Sequence, residues 1–244
     1  YQNKFLPDGG TDVNAIVTSA CSGAGAAGQT GSGDAGEIII VDTSGSMGDR
    51  NMQAAKQAAM VALDHILDGT YFAVVAGNHK AYLAYPMVQS GAGMVRMDAR
   101  TRAEARRAIS FFRADGGTAM GNWLNLARAL FDSIGGLAQK HAILLTDGEN
   151  HNETQQQLDL AIRNSAGQFQ VDCRGIGVDW KVAEIRKIAQ ALLGTVDIIP
   201  NPSQLGQAFA EMMDDEPVEK PCDEADGLVI ILLLSSPAFE RMKG

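Results

Sequence analysis

Glu37-Ile38-Ile39-Ile40-Val41-Asp42-Thr43-Ser44-Gly45-Ser46 decides the fold class. Four consecutive β-branched residues do not alternate apolar with polar, so both faces of this strand must be covered, as in a parallel sheet with helices on each side. The run stops at a carboxylate and two hydroxyls, where a strand hands over to a helix. Beyond it Met52, Ala55, Ala59, Leu63 and Ile66 recur at helical spacing, and Gly69 reads as the C-cap.

Further along, Tyr71–Ala76 reads as a strand, and Ala81–Tyr85 as its antiparallel partner, because only Gly77 to Lys80 separates them. Thr101 and Glu104 have capping-box spacing for a helix that runs to about Phe112. A helix carrying Met120, Leu124, Ala127, Phe131 and Ile134 ends at Gly135-Gly136, and Ala142–Thr146 forms the second buried strand, broken at Asp147-Gly148. The alternation continues with a helix over Leu158–Ser165, a strand over Phe169–Arg174, a helix bearing Val182, Ile185, Ala189 and Leu192, and a strand over Val196–Ile199. Asn201-Pro202 then reads as the cap of a last helix with Leu205, Phe209 and Met212. Strands and helices in this order imply right-handed crossovers, hence an α/β, doubly wound and mainly parallel central sheet with helices on both faces.

Composition changes mark the boundaries. Residues 1–20 hold a short β segment around Val13–Thr18. Residues 21–36, with six glycines and four alanines, read as a flexible loop. The main domain is expected over 37–213, an acidic linker with Pro217 and Pro221 over 214–226, and a C-terminal β segment over 227–244. Of 244 residues, 45% are apolar, enough for a full core and too many for wholesale disorder. The net charge of −9 removes the electrostatic drive for nucleic-acid binding. The apolar run Leu228–Leu234 is too short to insert through a membrane. The three cysteines are few and widely spaced, which suits a reducing, cytoplasmic setting. No secretory leader is recognisable, although the sequence starts at Tyr1 rather than Met.

In a doubly wound sheet, ligands sit beyond the carboxyl ends of the strands. There Asp42, Ser44 and Ser46, spaced by two, can aim three oxygens at one point. Two more loops, Asp115-Gly116-Gly117-Thr118 and Thr146-Asp147-Gly148, arrive at the same edge. Such hard oxygen donors suit Mg²⁺, or Mn²⁺ or Ca²⁺, and suit zinc poorly. A lone Asp-x-Ser-x-Ser is most often a turn or a helix cap; the full set of Asp42, Ser44, Ser46, Thr118 and Asp147 favours metal.

Together these residues resemble the metal-ion-dependent adhesion site of von Willebrand factor type A domains, over about Glu37 to Met213. The resemblance implies that Ser44 and Ser46 coordinate the cation directly, that Asp42 and Asp147 do so directly or through water, and that Thr118 is the switching ligand. It also implies that an Asp or Glu carboxylate of a protein partner completes the coordination. Glu149, Asn150 and His151 are expected on the rim, where they would help select that partner. More narrowly, Asn14-Ala15-Ile16-Val17, Gly116-Gly117-Thr118-Ala119 and Gly175-Ile176-Gly177-Val178-Asp179-Trp180 are similar to stretches of actinobacterial cytoplasmic proteins of this family.

The expected role is therefore a non-enzymatic binding module. The alternative is a metal-dependent hydrolase of phosphate or ester groups, with Glu149 or His151 as the base. Asp42-Thr43-Ser44-Gly45 superficially suggests an aspartic protease, but its glycine is one residue late and the α/β pattern excludes that all-β scaffold. A serine hydrolase lacks the Gly-x-Ser-x-Gly turn. Arg96, Arg100, Arg102, Arg106, Arg107 and Arg113 crowd one helix; the ordinary reading is a solvated face, and the sharper one is a dock for an acidic segment of another copy, leaving homo-oligomerisation open.

Overall fold

In a computed structural model the Ile38–Val41 run lies in β2 (Asp34–Asp42), with parallel neighbours on both sides. The structure describes residues 12–19, 34–87, 93–148, 150–177, 182–199 and 228–235. After β2 come a 3-10 turn (Gly45–Met47), α1 (Gly48–His65), β3 (Tyr71–Gly77), β4 (Ala81–Tyr85), β5 (Val95–Arg96) and α2 (Ala99–Ser110). Then follow α3 (Met120–Asp132), β6 (Leu137–Thr146), α4 (Gln155–Ser165), β7 (Gln170–Ile176), α5 (Val182–Ala191) and β8 (Val196–Ile199). The main sheet has the order β4-β3-β2-β6-β7-β8, with β5 against β3. β4 and β5 run antiparallel to β3, and the other pairings are parallel. The doubly wound α/β class expected from the sequence is the class observed.

Strand pleating divides the apolar run between two cores. Ile39 and Val41 enter a cluster with Ala55, Leu63, Phe72 and Ile109, under α1 and α2. Ile38 and Ile40 enter the other with Trp123, Leu124, Leu158 and Ile185, under α3, α4 and α5. All four side chains of the run are essentially inaccessible, which is why no polar residue interrupts it.

β1 (Asp12–Ser19) and β9 (Leu228–Ser235) pair antiparallel, from Asp12↔Ser235 to Ser19↔Leu228, in a unit separate from the α/β body. Among the described residues no helix is long and apolar enough to cross a membrane.

Several boundaries differ from the sequence expectation. β2 starts at Asp34, so residues 34–36 belong to the sheet rather than to the glycine-rich loop. A Cβ at Gly36 would come within 2.9 Å of Leu137 Cδ1, so a larger residue there would have to displace that side chain. Helix α2 is capped one turn before Thr101–Glu104: Asp98 accepts from the Thr101 amide (2.7 Å), and its own amide donates to Thr101 Oγ1 (2.8 Å). Glu104 instead accepts from the Tyr85 hydroxyl and Arg100. Gly69 is not the C-cap of α1, which ends at His65 with Ile66 extended; Gly69, at φ +90°, turns the chain into β3. The helix expected after Asn201-Pro202 lies outside the described residues.

Within the arginine run, Arg96 pairs with Asp34, Arg100 with Glu104, Arg102 with Asp68, and Arg106 with Asp64. Most of that run is thus neutralised within the chain, in line with a solvated face.

Candidate metal centre

β2 delivers Asp42 to the carboxyl edge of the sheet, and the next residues are tied down in sequence. Thr43 donates through both its amide (2.6 Å) and its hydroxyl (3.1 Å) to the carbonyl of Gly77, at the end of β3. The Ser44 amide donates to Asp42 Oδ1 at 2.8 Å, an Asx-type turn that starts the 3-10 helix. The second loop is zipped to the first through the backbone: the Gly45 amide donates to Gly116 O (2.7 Å) and the Asp115 amide to Thr43 O (2.8 Å). Gly116, at φ +74°, allows this close approach, and a Cβ there would meet His79 Nδ1 at 2.6 Å.

From the parallel pair β2 and β6, with Val41 opposite Leu145, Thr146 and Asp147 emerge beside Asp42. Thr146 Oγ1 donates to Asp42 Oδ2 at 2.6 Å. Ser44 Oγ and Ser46 Oγ are 3.0 Å apart, and Ser46 Oγ donates to Asp147 Oδ1 at 3.0 Å. Asp42, Ser44, Ser46 and Asp147 are thereby joined in one hydrogen-bonded set, with Asp42 and Ser44 buried, Asp147 half-buried and Ser46 exposed.

Thr118 is also buried, and its backbone is clamped to the third loop. Its amide donates to Asn152 Oδ1 (3.0 Å), and its carbonyl accepts from the amides of His151 (3.1 Å) and Asn152 (2.8 Å). Among the described residues no hydrogen bond links the Thr118 hydroxyl to the other four side chains.

On the rim, His151 is exposed. The Asn150 amide donates to Glu184 Oε2 (3.1 Å) and so braces the loop against α5, its side chain bonds Glu153 within the loop, and its Oδ1 is buried without a hydrogen-bond partner. Glu149 lies outside the described residues.

Burial pushes the Asp42 carboxyl up to about 6, against hydrogen bonds from Ser44 and Thr146, and the nearby Asp147 charge adds to the rise. Asp147 is likewise raised by burial, against hydrogen bonds from Ser46 and Asn51. Two carboxylates sharing so enclosed a place lack a positive counter-charge, and a divalent cation would supply it. Among the described residues no group of three His, Cys, Asp or Glu side chains is placed to hold a metal, so hydroxyls would have to share the coordination with two carboxylates. That donor chemistry fits a hard cation.

Sequence reasoning missed the supporting shell. Thr146 was legible only as part of a strand-end turn; its bond to Asp42 needs the register of two strands far apart in the chain. Asn152 and Asn51 carried no signal beyond their polarity.

Residues 38–211 match the profile of the von Willebrand factor type A domain. A von Willebrand factor type A protein from Catenulispora acidiphila is 46% identical, with a TM-score of 0.71, over 87% of this chain and 47% of that one. An uncharacterized protein from Synechocystis sp. is 28% identical over 71% of this chain and 40% of its own length. The chain therefore spans less than half of each. Proximal thread matrix protein 1 from the mussel byssus, solved with zinc in its metal-ion-dependent adhesion motif, is 22% identical with a TM-score of 0.58 over 74% of this chain and 47% of that one, a likeness of fold alone.

Proposed function

The chain belongs to the von Willebrand factor type A domain family, and from that premise we propose that it is a protein-interaction module that holds one divalent cation and engages an Asp or Glu of a protein partner. Domains of this family are typically metal-dependent adhesion or interaction modules. The observation that carries the reading is the hydrogen-bonded set of Asp42, Ser44, Ser46 and Asp147, drawn from two strand ends, with the Thr118 loop zipped to both.

Asp42, Ser44, Ser46, Thr118 and Asp147 would hold the ion, with Mg²⁺ the first choice and Mn²⁺ or Ca²⁺ of the same oxygen preference. When bound, the cation supplies a Lewis-acidic point of attachment for a carboxylate. Thr146 fixes the orientation of Asp42, and Thr43 holds the loop against β3. The backbone bonds from Gly45 to Gly116 and from Asn152 to Thr118, with the Thr118 amide donating back to Asn152 Oδ1, keep the three loops in register, so the donors need little reorganisation on loading. The exposed His151, with Asn150 and Glu149, is assigned to the rim that selects the partner.

No catalytic step is proposed. A cytoplasmic setting goes with this reading, in keeping with the few and widely spaced cysteines. The acidic balance of the chain speaks against a nucleic-acid partner.

The test is a pair of measurements. Excess Mg²⁺ should raise the melting temperature above that in EDTA, and Asp42→Ala should abolish the rise. In Mg²⁺, Asp-containing peptides should be retained where their Asn counterparts are not. Identical melting curves with and without the ion, or equal retention of Asn and Asp peptides, would overturn the reading.

A further inference from the structure

Beside the candidate metal centre, α3, α4 and the loop carrying Asn152 enclose a groove of about 240 Å³. Its lining is dominated by side-chain amides, Asn122, Asn125, Asn152, Gln157 and Asn164, with Leu160 as its large apolar residue. Glu153 is the single ionisable group in that lining, and its Oε1 is occupied by the amide of Gly121 (2.7 Å).

Much of the hydrogen-bonding capacity of these amides is unspent. Asn125 and Asn164 are exposed and make no side-chain hydrogen bond among the described residues. Asn152 uses its oxygen on Thr118, Gln157 uses its oxygen on Thr154, and Asn122 uses its nitrogen on the carbonyl of His79. Donors and acceptors thus remain side by side. A carboxamide presents the same N–H and C=O pair as a peptide bond, so it can pair with main chain through two opposed hydrogen bonds. Leu160, 52% exposed, offers an aliphatic contact beside them.

The lining contains no Lys or Arg for a phosphate and no aromatic ring for a sugar to stack on. The groove also adjoins the candidate metal centre, because Asn152, which lines it, is bonded directly to the Thr118 amide.

We propose that this groove binds the main chain of the partner peptide on one side of its acidic residue, with Leu160 receiving an aliphatic side chain. The inference rests on the metal-dependent reading of the neighbouring site and extends it to the class of ligand: an extended peptide rather than a carbohydrate or an anion.

The probe is a library of short random peptides with a fixed central Asp, selected on the full chain in Mg²⁺. Selected peptides should share an aliphatic residue at one fixed offset from the Asp. The double variant Asn125→Ala, Asn164→Ala should bind them about tenfold more weakly, while its melting shift with Mg²⁺ stays that of the unmodified chain. Peptides that lose binding to Asp42→Ala but bind the double variant normally would overturn the groove and leave the metal reading standing. Peptides that ignore Asp42→Ala but are lost by the double variant would overturn the metal reading instead. Recovery of no peptide would overturn the peptide assignment, with the Mg²⁺ melting shift then deciding the metal reading by itself.

Discussion

Asp42 shows how one carboxylate can be buried without being stranded. The Ser44 amide takes one oxygen and the Thr146 hydroxyl the other, so each oxygen has a hydrogen-bond partner and still a lone pair to spare, although water cannot reach the group. Thr146→Val keeps the shape and removes the hydroxyl donor. Leaving a charged acceptor short of a partner should cost roughly 1–3 kcal/mol, read as a lower urea midpoint, and should weaken Mg²⁺ binding in a calorimetric titration. An unchanged midpoint would mean that Thr146 contributes only packing. Gly117 is a second sensitive point, because a Cβ there would come within 1.5 Å of Asn152 Oδ1. Gly117→Ala should therefore displace Asn152 from the Thr118 amide and lower Mg²⁺ affinity severalfold; unaltered affinity would show that the clamp is dispensable.

Among the elements, the end of α1 is the instructive one. Two carbonyls at its end are satisfied from a neighbouring helix: Arg102 of α2 donates to Leu63 O (3.1 Å) in the last turn and to Ile66 O (2.8 Å) at the cap, and pairs with Asp68. A helix terminus left with free carbonyls commonly uses a glycine just after its cap, but α1 is capped by Ile66 and Gly69 comes two residues too late for that role. The planar guanidinium does the work from another element, which no local rule foresees. Arg102→Ala should lower stability by roughly 1.5–3 kcal/mol, whereas Arg100→Ala, which removes an exposed i,i+4 pair, should change it by no more than about 0.5 kcal/mol. Equal effects in thermal denaturation would refute this ranking. The same contrast explains the misplaced start of α2. Thr101 and Glu104 have the spacing of a box, but Asp98 adopts the extended conformation that a cap needs, and Thr101 serves as its third residue.

Across the whole molecule, His141 ties three strands of the sheet together. It sits on β6 between Glu37 of β2 (2.9 Å) and Asp172 of β7 (3.1 Å). Burial alone would lower its pKa, but hydrogen bonds and charge from Asp172 and Glu37 outweigh that and hold it at about 9. Asp172 in turn lies well below the usual carboxylate range: burial would raise it, and hydrogen bonds from His141 and Thr195 win. A histidine whose folded value exceeds its unfolded 6.5 contributes its full stabilisation below that pH and loses it as pH rises through about 9. The contribution is of the order of 3 kcal/mol at most. The stability difference between the native chain and His141→Gln should therefore shrink between pH 6 and pH 10 in urea titrations. A difference constant over that range would show that His141 contributes through shape rather than charge.

Apolar periodicity, turn residues and the Asp-x-Ser-x-Ser spacing determined by themselves that this chain forms a mainly parallel α/β sheet with an oxygen-rich loop at a strand end, because those signals are local and repeat along the chain. Tertiary structure alone decided that Thr146 anchors Asp42, that Arg102 closes α1, that His141 bridges Glu37 and Asp172, and that amides gather beside the Thr118 loop. Each of these joins residues 31 or more positions apart or sets several elements around one space. Their partners are fixed by strand register and helix packing, and a hydrogen bond across that separation leaves no trace in the spacing of the residues that make it.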